Sequence, residues 1–312
     1  MSFLFFIAIF AVRLTNYYAI MENKTLVRPM FPVWANVLLY TLASILLMSV
    51  FLVFVSLAFR TFTGQFDMLQ QFLSSFAMFL GAFIPAVLFI LYLDRRPLSD
   101  LGFGLRGRGR DFLLGVNLAL LLYLVGFGIS LLLGVVEVTN IHFDGGILLG
   151  SFCVFIVAAL MEEVMIRGYI LSHLMSCMNK FMALCVSSFV FALMHLFNPN
   201  ISFLPIFNIF LAGLMLGAAF LYTRNLWFPI TLHIFWNWLQ GPVLGYEVSG
   251  AKLFPSILTL RLPEKNIING GDFGFEGSII CTVLLIATTG AIIYWFEKRS
   301  AQESECVENS KV

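Results

Sequence analysis

Six ionisable side chains lie within stretches of sequence that are otherwise strongly apolar. All six fall in three such stretches, whereas the other five apolar stretches contain no Asp, Glu, Lys, Arg or His. An isolated charge at the centre of a bilayer costs about 2.5–3.5 kcal/mol, so residues without a common role would be scattered. We therefore expect these side chains to meet in one place. They are Glu162, Glu163, Arg167, His173, His195 and His233.

Four polar residues in these stretches have the spacing of a hydrolytic site. Glu162 and His195 are almost equally far from Asn179, so an antiparallel hairpin turning there puts them at the same depth. A carboxylate beside an imidazole can take a proton from water. His233 and Asn237 are four residues apart and so share one helix face, from which both can donate to an oxyanion. Together these groups predict hydrolysis of an amide bond.

Three further residues are expected to support this set. Glu163 and Arg167 form an i, i+4 pair with the acid first, which is the favoured order on a helix. Glu162 points about 100° away from Glu163, so we expect Glu163 to neutralise Arg167 and Glu162 to face the histidines. Phe191 lies one helical turn before His195. His173, near the end of its stretch, is interpreted as a residue reaching the membrane interface.

A metal-bound water is the alternative mechanism. Glu162, His195 and His233 would form the two-His, one-Glu ligand set of zinc peptidases, with an open position for water. The sequence contains no HExxH motif, and each ligand would come from a different helix. We favour activation of water by Glu and His without a metal, and keep zinc as the possible cofactor.

The elements that must position these residues are membrane-spanning helices. Hydrophobic residues make up 60% of the 312-residue chain and charged residues only 11%, which is less than half the charge of an average soluble domain. A transmembrane helix needs about 20 mainly apolar residues. We therefore predict an all-α, polytopic membrane helical bundle of about eight transmembrane helices. The stretches are approximately 32–59, 72–93, 112–136, 147–178, 181–197, 201–223, 227–243 and 277–296.

The basic residues orient this bundle. They concentrate before the first stretch, after the last one and in alternate connections, which predicts that both termini are cytoplasmic. The formal net charge is only +1, so no nucleic-acid partner is expected. The chain is divided as follows: residues 1–30, an N-terminal interfacial or half-inserted segment; 31–94, two transmembrane helices; 95–243, the catalytic helical core; and 244–312, a long non-cytoplasmic loop, the last transmembrane helix and a cytoplasmic tail.

At the candidate residues the chain resembles a known family. The segment MEEVMIRGYI resembles the EExxxR signature of the CPBP intramembrane proteases, also called the Abi or CAAX prenyl-endopeptidase family. FALMH resembles their FxxxH element, and LWFPITLHIFWNW resembles their HxxxN element. The resemblance covers about residues 95–240.

The resemblance implies a glutamate-dependent intramembrane endopeptidase. In it, Glu162 and His195 would activate water, His233 and Asn237 would bind the oxyanion, and Glu163 and Arg167 would support them. The family has also been described as metalloproteases, which keeps zinc open. The expected partners are the lipid bilayer and a peptide or prenylated protein substrate. We expect a multi-pass protein of a bacterial plasma membrane.

Two other functions stay open. One is a catalytically idle family member that serves as a membrane scaffold or a bacteriocin immunity protein. The other is a proton-coupled transporter, since buried Glu, Arg and His residues also occur in proton relays. The sequence lacks the inverted repeat and paired broken helices of many transporters, which makes the transporter the weaker alternative.

Overall fold

The computed structural model describes residues 30–60 and 67–309 of the chain. The predicted interfacial segment, including the apolar residues 3–12, lies outside the described residues except for residue 30. Within the described part, each of the eight predicted apolar stretches corresponds to a helix. The helices are α1 (Val33–Ala58), α2 (Asp67–Leu88), α3 (Gly109–Leu132), α4 (Gly145–Glu163), α5 (Lys180–Met194), α6 (Phe203–Thr223), α7 (Trp227–Trp238) and α8 (Ile279–Asn309).

Three of these helices widen into π-helical turns at their carboxyl ends. Phe89–Leu93 follows α2 and Leu239–Val243 follows α7. The longest such segment, Val164–Leu171, continues α4 and ends in a last α-helical turn, Ser172–Leu174. Short 3₁₀ turns complete the described helical structure at Leu98–Leu101, Gly271–Phe273 and Phe275–Gly277.

The chain is an integral membrane protein of helical type. Six of the described helices are long and apolar enough to cross a bilayer: α1, α2 with its π turn, α3, α4 with its extension, α6 and α8. Many of their large apolar side chains are exposed on the outer faces of the bundle, as expected where the surrounding solvent is lipid. The remaining two helices, α5 and α7, are shorter, and both contribute to the candidate site.

Polar caps begin the two helices of the predicted hairpin. The Asp144 carboxylate accepts hydrogen bonds from the backbone N–H groups of Gly146 and Ile147, at 2.8 and 3.0 Å. The Asn179 side chain accepts one from the N–H of Phe181 at 2.9 Å. Such side chains satisfy donors that a helix leaves unpaired at its first turn. They define where α4 and α5 start and so fix the depth of the residues along them.

Small residues allow the helices to approach closely. A side chain at Gly115 of α3 would lie 2.7 Å from the backbone nitrogen of Leu232 in α7. A side chain at Gly213 of α6 would lie 2.9 Å from Cβ of Ser188 in α5. Small residues at helix contacts are the usual means of tight packing in membranes. Gly213 is therefore a close-packing position between α5 and α6.

Two short strands link the loops at one end of the bundle, a feature that the sequence analysis did not anticipate. Strand β1 (Glu137–Ile141) pairs antiparallel with β2 (Leu258–Arg261), with Glu137 opposite Arg261 and Ile141 opposite Leu258. The register shifts between Val138 and Asn140. Segments of four and five residues, more than a hundred positions apart, give too weak a local pattern to be recognised in advance.

The long loop between α7 and α8 packs into the bundle. Helix α5 has only 15 residues, and 1.5 Å per residue gives it a length of about 23 Å, short of the roughly 30 Å hydrocarbon thickness. The loop contributes buried apolar side chains to the core of the bundle. These are Tyr246, Val248, Phe254, Phe273 and Phe275.

The interpretation of His173 as an interface residue is wrong. Its side chain is buried, and its Nε2 atom lies 3.0 Å from Oδ2 of Asp94, in the connection after α2. The same carboxylate accepts hydrogen bonds from Asn36 at 2.7 Å and from the Tyr169 hydroxyl at 2.8 Å. These four residues, here called the basal cluster, join α1, α2 and α4. Asp94 lies just beyond the predicted apolar stretch 72–93, and no spacing in the sequence relates it to His173.

Candidate functional site

The candidate site forms where α4 changes its helical form. Glu162 and Glu163 are the last two residues of regular α-helix, and the π-helical segment begins at Val164. Such wider turns are frequent at functional sites. Glu163 and Arg167 are fully buried, whereas the Glu162 side chain keeps 18% exposure. The two neighbouring carboxylates therefore occupy different environments, as their positions around the helix predicted.

Glu162 faces both histidines. Its Oε2 atom lies 3.9 Å from Nε2 of His195, at the carboxyl end of α5, and 3.8 Å from Nε2 of His233 on α7. The same oxygen is buried and accepts no hydrogen bond from the described residues. Three groups that can exchange protons thus converge from three helices, each too far for a direct hydrogen bond and close enough to share one water molecule.

Hydrogen bonds at Nδ1 define how the two imidazoles present Nε2. His195 Nδ1 donates to the backbone carbonyl of Phe191 at 2.8 Å. His233 Nδ1 donates to Oε1 of Glu163, also at 2.8 Å. A carbonyl and a carboxylate can only accept, so each Nδ1 carries a hydrogen and each neutral ring offers a lone pair on Nε2. Both Nε2 atoms are directed towards Glu162.

Glu163 has two partners rather than the single one that was expected. The predicted ion pair is present, with Arg167 Nη1 2.8 Å from Glu163 Oε1. That oxygen also accepts the hydrogen bond from His233. The division of roles predicted from sequence is therefore incomplete, because Glu163 orients an imidazole as well as neutralising Arg167. Sequence spacing reveals a pair within one helix but not a partner 70 residues away.

Phe191 and Gly213 complete the support of this network. The Arg167 guanidinium carbon lies 4.6 Å from the centre of the Phe191 ring, a cation–π distance. Its Nη2 atom donates to the carbonyl oxygen of Gly213 at 3.2 Å. The Phe191 ring also contacts the imidazole of His195, with centroids 4.7 Å apart. Phe191 thus separates the buried cation from the imidazole and packs against both.

A cavity of about 40 Å³ adjoins Glu162, enough for at least one water molecule. Asn237 borders it, as do His195 and His233, so all four predicted site residues line one space. Two further lining residues come from the long loop, Ser249 and Glu276. Neither shares a helix face with another candidate residue, and no spacing in the sequence distinguishes them. The structure therefore adds the loop to the site.

The geometry differs from that of a metal centre. Zinc ligands lie about 2.0–2.2 Å from the ion, which places tetrahedral donor atoms about 3.4 Å apart. The corresponding distances from Glu162 to His195 and His233 are 3.9 and 3.8 Å. Among residues 30–60 and 67–309, no three His, Cys, Asp or Glu side chains are arranged to hold a metal ion. The side chains as they stand therefore do not fit zinc.

Comparison with known proteins finds one family model that matches the part of the chain containing these residues. Residues 144–239 match the family model described as type II CAAX prenyl endopeptidase Rce1-like. The match covers about a third of the chain and supports its resemblance to the CPBP family. The match contains α4 to α7 and every predicted site residue, and it supports a CAAX-type intramembrane endopeptidase in general terms. It is shorter than the predicted resemblance over 95–240. No curated protein and no solved structure matches the chain.

Proposed function

We propose that this chain hydrolyses peptide bonds within the membrane, with Glu162 and His195 activating a water molecule. The observation that carries the proposal is the convergence of Glu162 on His195 and His233 at 3.8–3.9 Å. The substrate class is a CAAX-type prenylated protein or another membrane-associated peptide. The family match supports the class of reaction, and the geometry of the side chains supports the roles that follow.

The first step is addition of water to the scissile carbonyl. Water held by Glu162 and His195 loses a proton to Glu162 as its oxygen attacks the carbonyl carbon. The carbonyl oxygen then becomes negative. Asn237 can donate to it through its side-chain N–H, and His233 can donate through Nε2 when both ring nitrogens carry hydrogen. Glu163, hydrogen-bonded to Nδ1 of His233, stabilises the positive charge which that form carries.

Collapse of the intermediate completes the reaction. Glu162 returns the proton to the nitrogen of the leaving group as the carbon–nitrogen bond breaks. The products are a carboxylic acid and an amine, and Glu162 is again a carboxylate. Arg167 touches no reacting atom in this scheme. It is a positioning residue, since it donates to Oε1 of Glu163, the same oxygen that accepts from His233.

Glu162→Gln tests the proposal most directly. The amide keeps the shape of the side chain but cannot take the proton, and general-base catalysis contributes about 10²–10⁴-fold. We expect cleavage of a farnesylated CAAX peptide by protein in liposomes to fall by at least about 100-fold. Glu264→Gln is the matched control, because Glu264 lies exposed in the long loop and its variant should cleave at the wild-type rate.

Two results would contradict parts of this scheme. Full cleavage by correctly inserted Glu162→Gln protein would remove Glu162 from the chemistry. Loss of wild-type cleavage after treatment with a chelator, with recovery on adding zinc, would replace metal-free activation by a metal-bound water. An idle scaffold would cleave no peptide in either form, and a transporter would instead show flux of solute into the liposomes.

A further inference from the structure

Glu276 carries a buried carboxylate at the edge of the cavity. Its exposure is 8%, and it borders the same space as Glu162 and Asn237. It comes from the long loop, just before α8, and the hydrolytic scheme gives it no task. A carboxylate removed from water is costly unless it is paired and hydrogen-bonded, so its presence beside the reaction site requires an explanation.

Within the part of the chain that the structure describes, all partners of this carboxylate are electrically neutral donors. Oε1 accepts the indole N–H of Trp236 at 3.0 Å. Oε2 accepts the backbone N–H of Ser249 at 2.8 Å, its hydroxyl at 3.1 Å and the Gln240 amide at 3.2 Å. Four donors suit an ionised carboxylate, which can only accept. None of them carries a positive charge, so these bonds hold the negative charge in place without cancelling it.

The donors themselves are held in position. The Tyr123 hydroxyl donates to Oε1 of Gln240, which turns the amide NH₂ group towards Glu276 and towards the backbone carbonyl of Glu247, at 2.6 Å. Tyr123 belongs to α3 and Gln240 to the turn after α7. The orientation of the amide is therefore set by a third helix, and a flipped Gln240 would turn its carbonyl oxygen towards a carboxylate.

The backbone of the loop is fixed just as firmly at this point. Asn208 of α6 donates to the carbonyl oxygens of Glu276 and Ser278, at 2.7 and 2.9 Å, and accepts from the Thr282 hydroxyl at 2.6 Å. Gly274 has φ of +89°, and a side chain there would lie 2.1 Å from the carbonyl oxygen of Glu247. Only glycine fits this conformation. The loop thus holds Glu276, which lines the cavity, in a fixed position.

We propose that Glu276 is a specificity-determining residue that accepts a hydrogen-bond donor or a cation of the substrate and rejects a carboxylate. The inference rests on the proposed peptidase function. Because the cavity is narrow, a substrate group held on the loop side of the scissile bond must approach Glu276. A free carboxylate there would face a like charge in surroundings of low dielectric constant, which is strongly unfavourable. A carboxamide, an amine or a continuing peptide chain would find an acceptor.

The consequence concerns the class of substrate. Cleavage of a free CAAX end places the terminal carboxylate three residues beyond the scissile bond. If this end of the substrate occupies the loop side of the cavity, Glu276 disfavours it. The chain would then act best on an internal peptide bond, or on a peptide whose end is neutral or basic.

Three forms of one peptide test the proposal. They are fluorogenic farnesylated CAAX peptides, identical except that the carboxyl end is a free acid, a carboxamide or an aminoethyl amide. We expect wild-type kcat/KM to rise in that order, with the amide at least about tenfold above the acid, which corresponds to about 1.4 kcal/mol. Glu276→Gln should bring the amide-to-acid ratio close to one, whereas Glu264→Gln in the same loop should leave the ratio unchanged.

The outcomes separate specificity from support. If Glu276→Gln lowers kcat/KM for the acid and the amide equally, Glu276 only positions α7 and the proposal is wrong. Equal wild-type rates for all three peptides would also overturn it, and that measurement needs no variant to fold. If the wild-type protein cleaves none of them, the proposed peptidase function fails. Competition binding of the three forms then decides whether the cavity still prefers the cationic end.

Discussion

Two buried carboxylate–imidazole clusters lie in this bundle and share much of their local design. In the candidate site, His195 Nδ1 donates to the carbonyl of Phe191, four residues earlier, at 2.8 Å. In the basal cluster, His173 Nδ1 donates to the carbonyl of Tyr169, also four residues earlier, at 2.7 Å. Each imidazole packs against the aromatic ring of that same residue.

The clusters differ in how completely their carboxylates are occupied. Both oxygens of Asp94 have close partners, and His173 approaches one of them to 3.0 Å. Oε2 of Glu162 accepts no hydrogen bond from the described residues and stays 3.9 Å from His195, beside a cavity. The same residue types therefore act as a structural tie where both carboxylate oxygens accept hydrogen bonds. Where a carboxylate oxygen has no such partner and a cavity lies beside it, the same residue types are suited to activating a water molecule.

The largest expected difference between the clusters is in activity. His195→Ala removes a partner of the attacking water and should lower the rate of peptide cleavage by about 10²–10⁴-fold, while the melting temperature changes little. His173→Ala should have the reverse effect, a lower melting temperature with full activity of the folded fraction. Both are measured on purified protein in liposomes, by cleavage rate and by tryptophan fluorescence on heating. His142→Ala, at an exposed loop position, is the neutral control.

If His173→Ala abolished cleavage in protein that is still folded, the contrast between a tie and a reactive site would be wrong. The basal cluster would then have to influence the cavity through α4, on which both His173 and Glu162 lie.

The next expected effect is on stability. Asp94→Ala leaves Tyr169, Asn36 and His173 without their common acceptor, and removing one member of a buried charged pair typically costs about 3–5 kcal/mol. Asp100→Ala provides the comparison. Asp100 forms an ion pair with Arg96 in which both side chains remain about one-third exposed, and pairs of this kind contribute at most about 1 kcal/mol.

Denaturation of both variants in detergent measures this difference. Equal destabilisation by Asp94→Ala and Asp100→Ala would show that the basal cluster does not hold α1, α2 and α4 together.

The contrast between the clusters also shows which features the sequence could predict. Long apolar stretches in the sequence located the eight helices α1 to α8 of the described residues, because a helix in a bilayer or in the core of a bundle needs mainly apolar side chains. The Glu163–Arg167 pair followed from helix geometry alone. Glu162 and His195 were predicted to lie at the same depth, because each is about the same number of residues from the turn at Asn179.

Contacts between segments far apart in the sequence could not be predicted from apolar stretches or from spacing within one helix. Asp94 reaches His173 because the connection after α2 returns to the bundle, and no pattern within either segment indicates this. His233 binds Glu163 across two helices for the same reason. Glu276 is the clearest case: it lies in a loop rich in glycine, and its proposed role depends on four donors, which come from α7, the turn after it and Ser249.

The smallest expected effect is the pH dependence of the basal cluster. Burial alone would raise the pKa of the Asp94 carboxyl, but the close approach and charge of His173, with hydrogen bonds from Tyr169 and Asn36, bring it below its ordinary value. A carboxyl whose pKa is lower in the folded than in the unfolded protein stabilises the fold above the unfolded value, and this contribution is lost as the pH falls through the folded value. For Asp94 the loss therefore lies below about pH 4.

The melting temperature of wild-type protein should exceed that of Asp94→Asn at pH 5 and converge on it as the pH falls below about 4. A gap that stays constant down to pH 2 would mean that the Asp94 charge contributes nothing, and that the tie depends on hydrogen bonds which an amide reproduces.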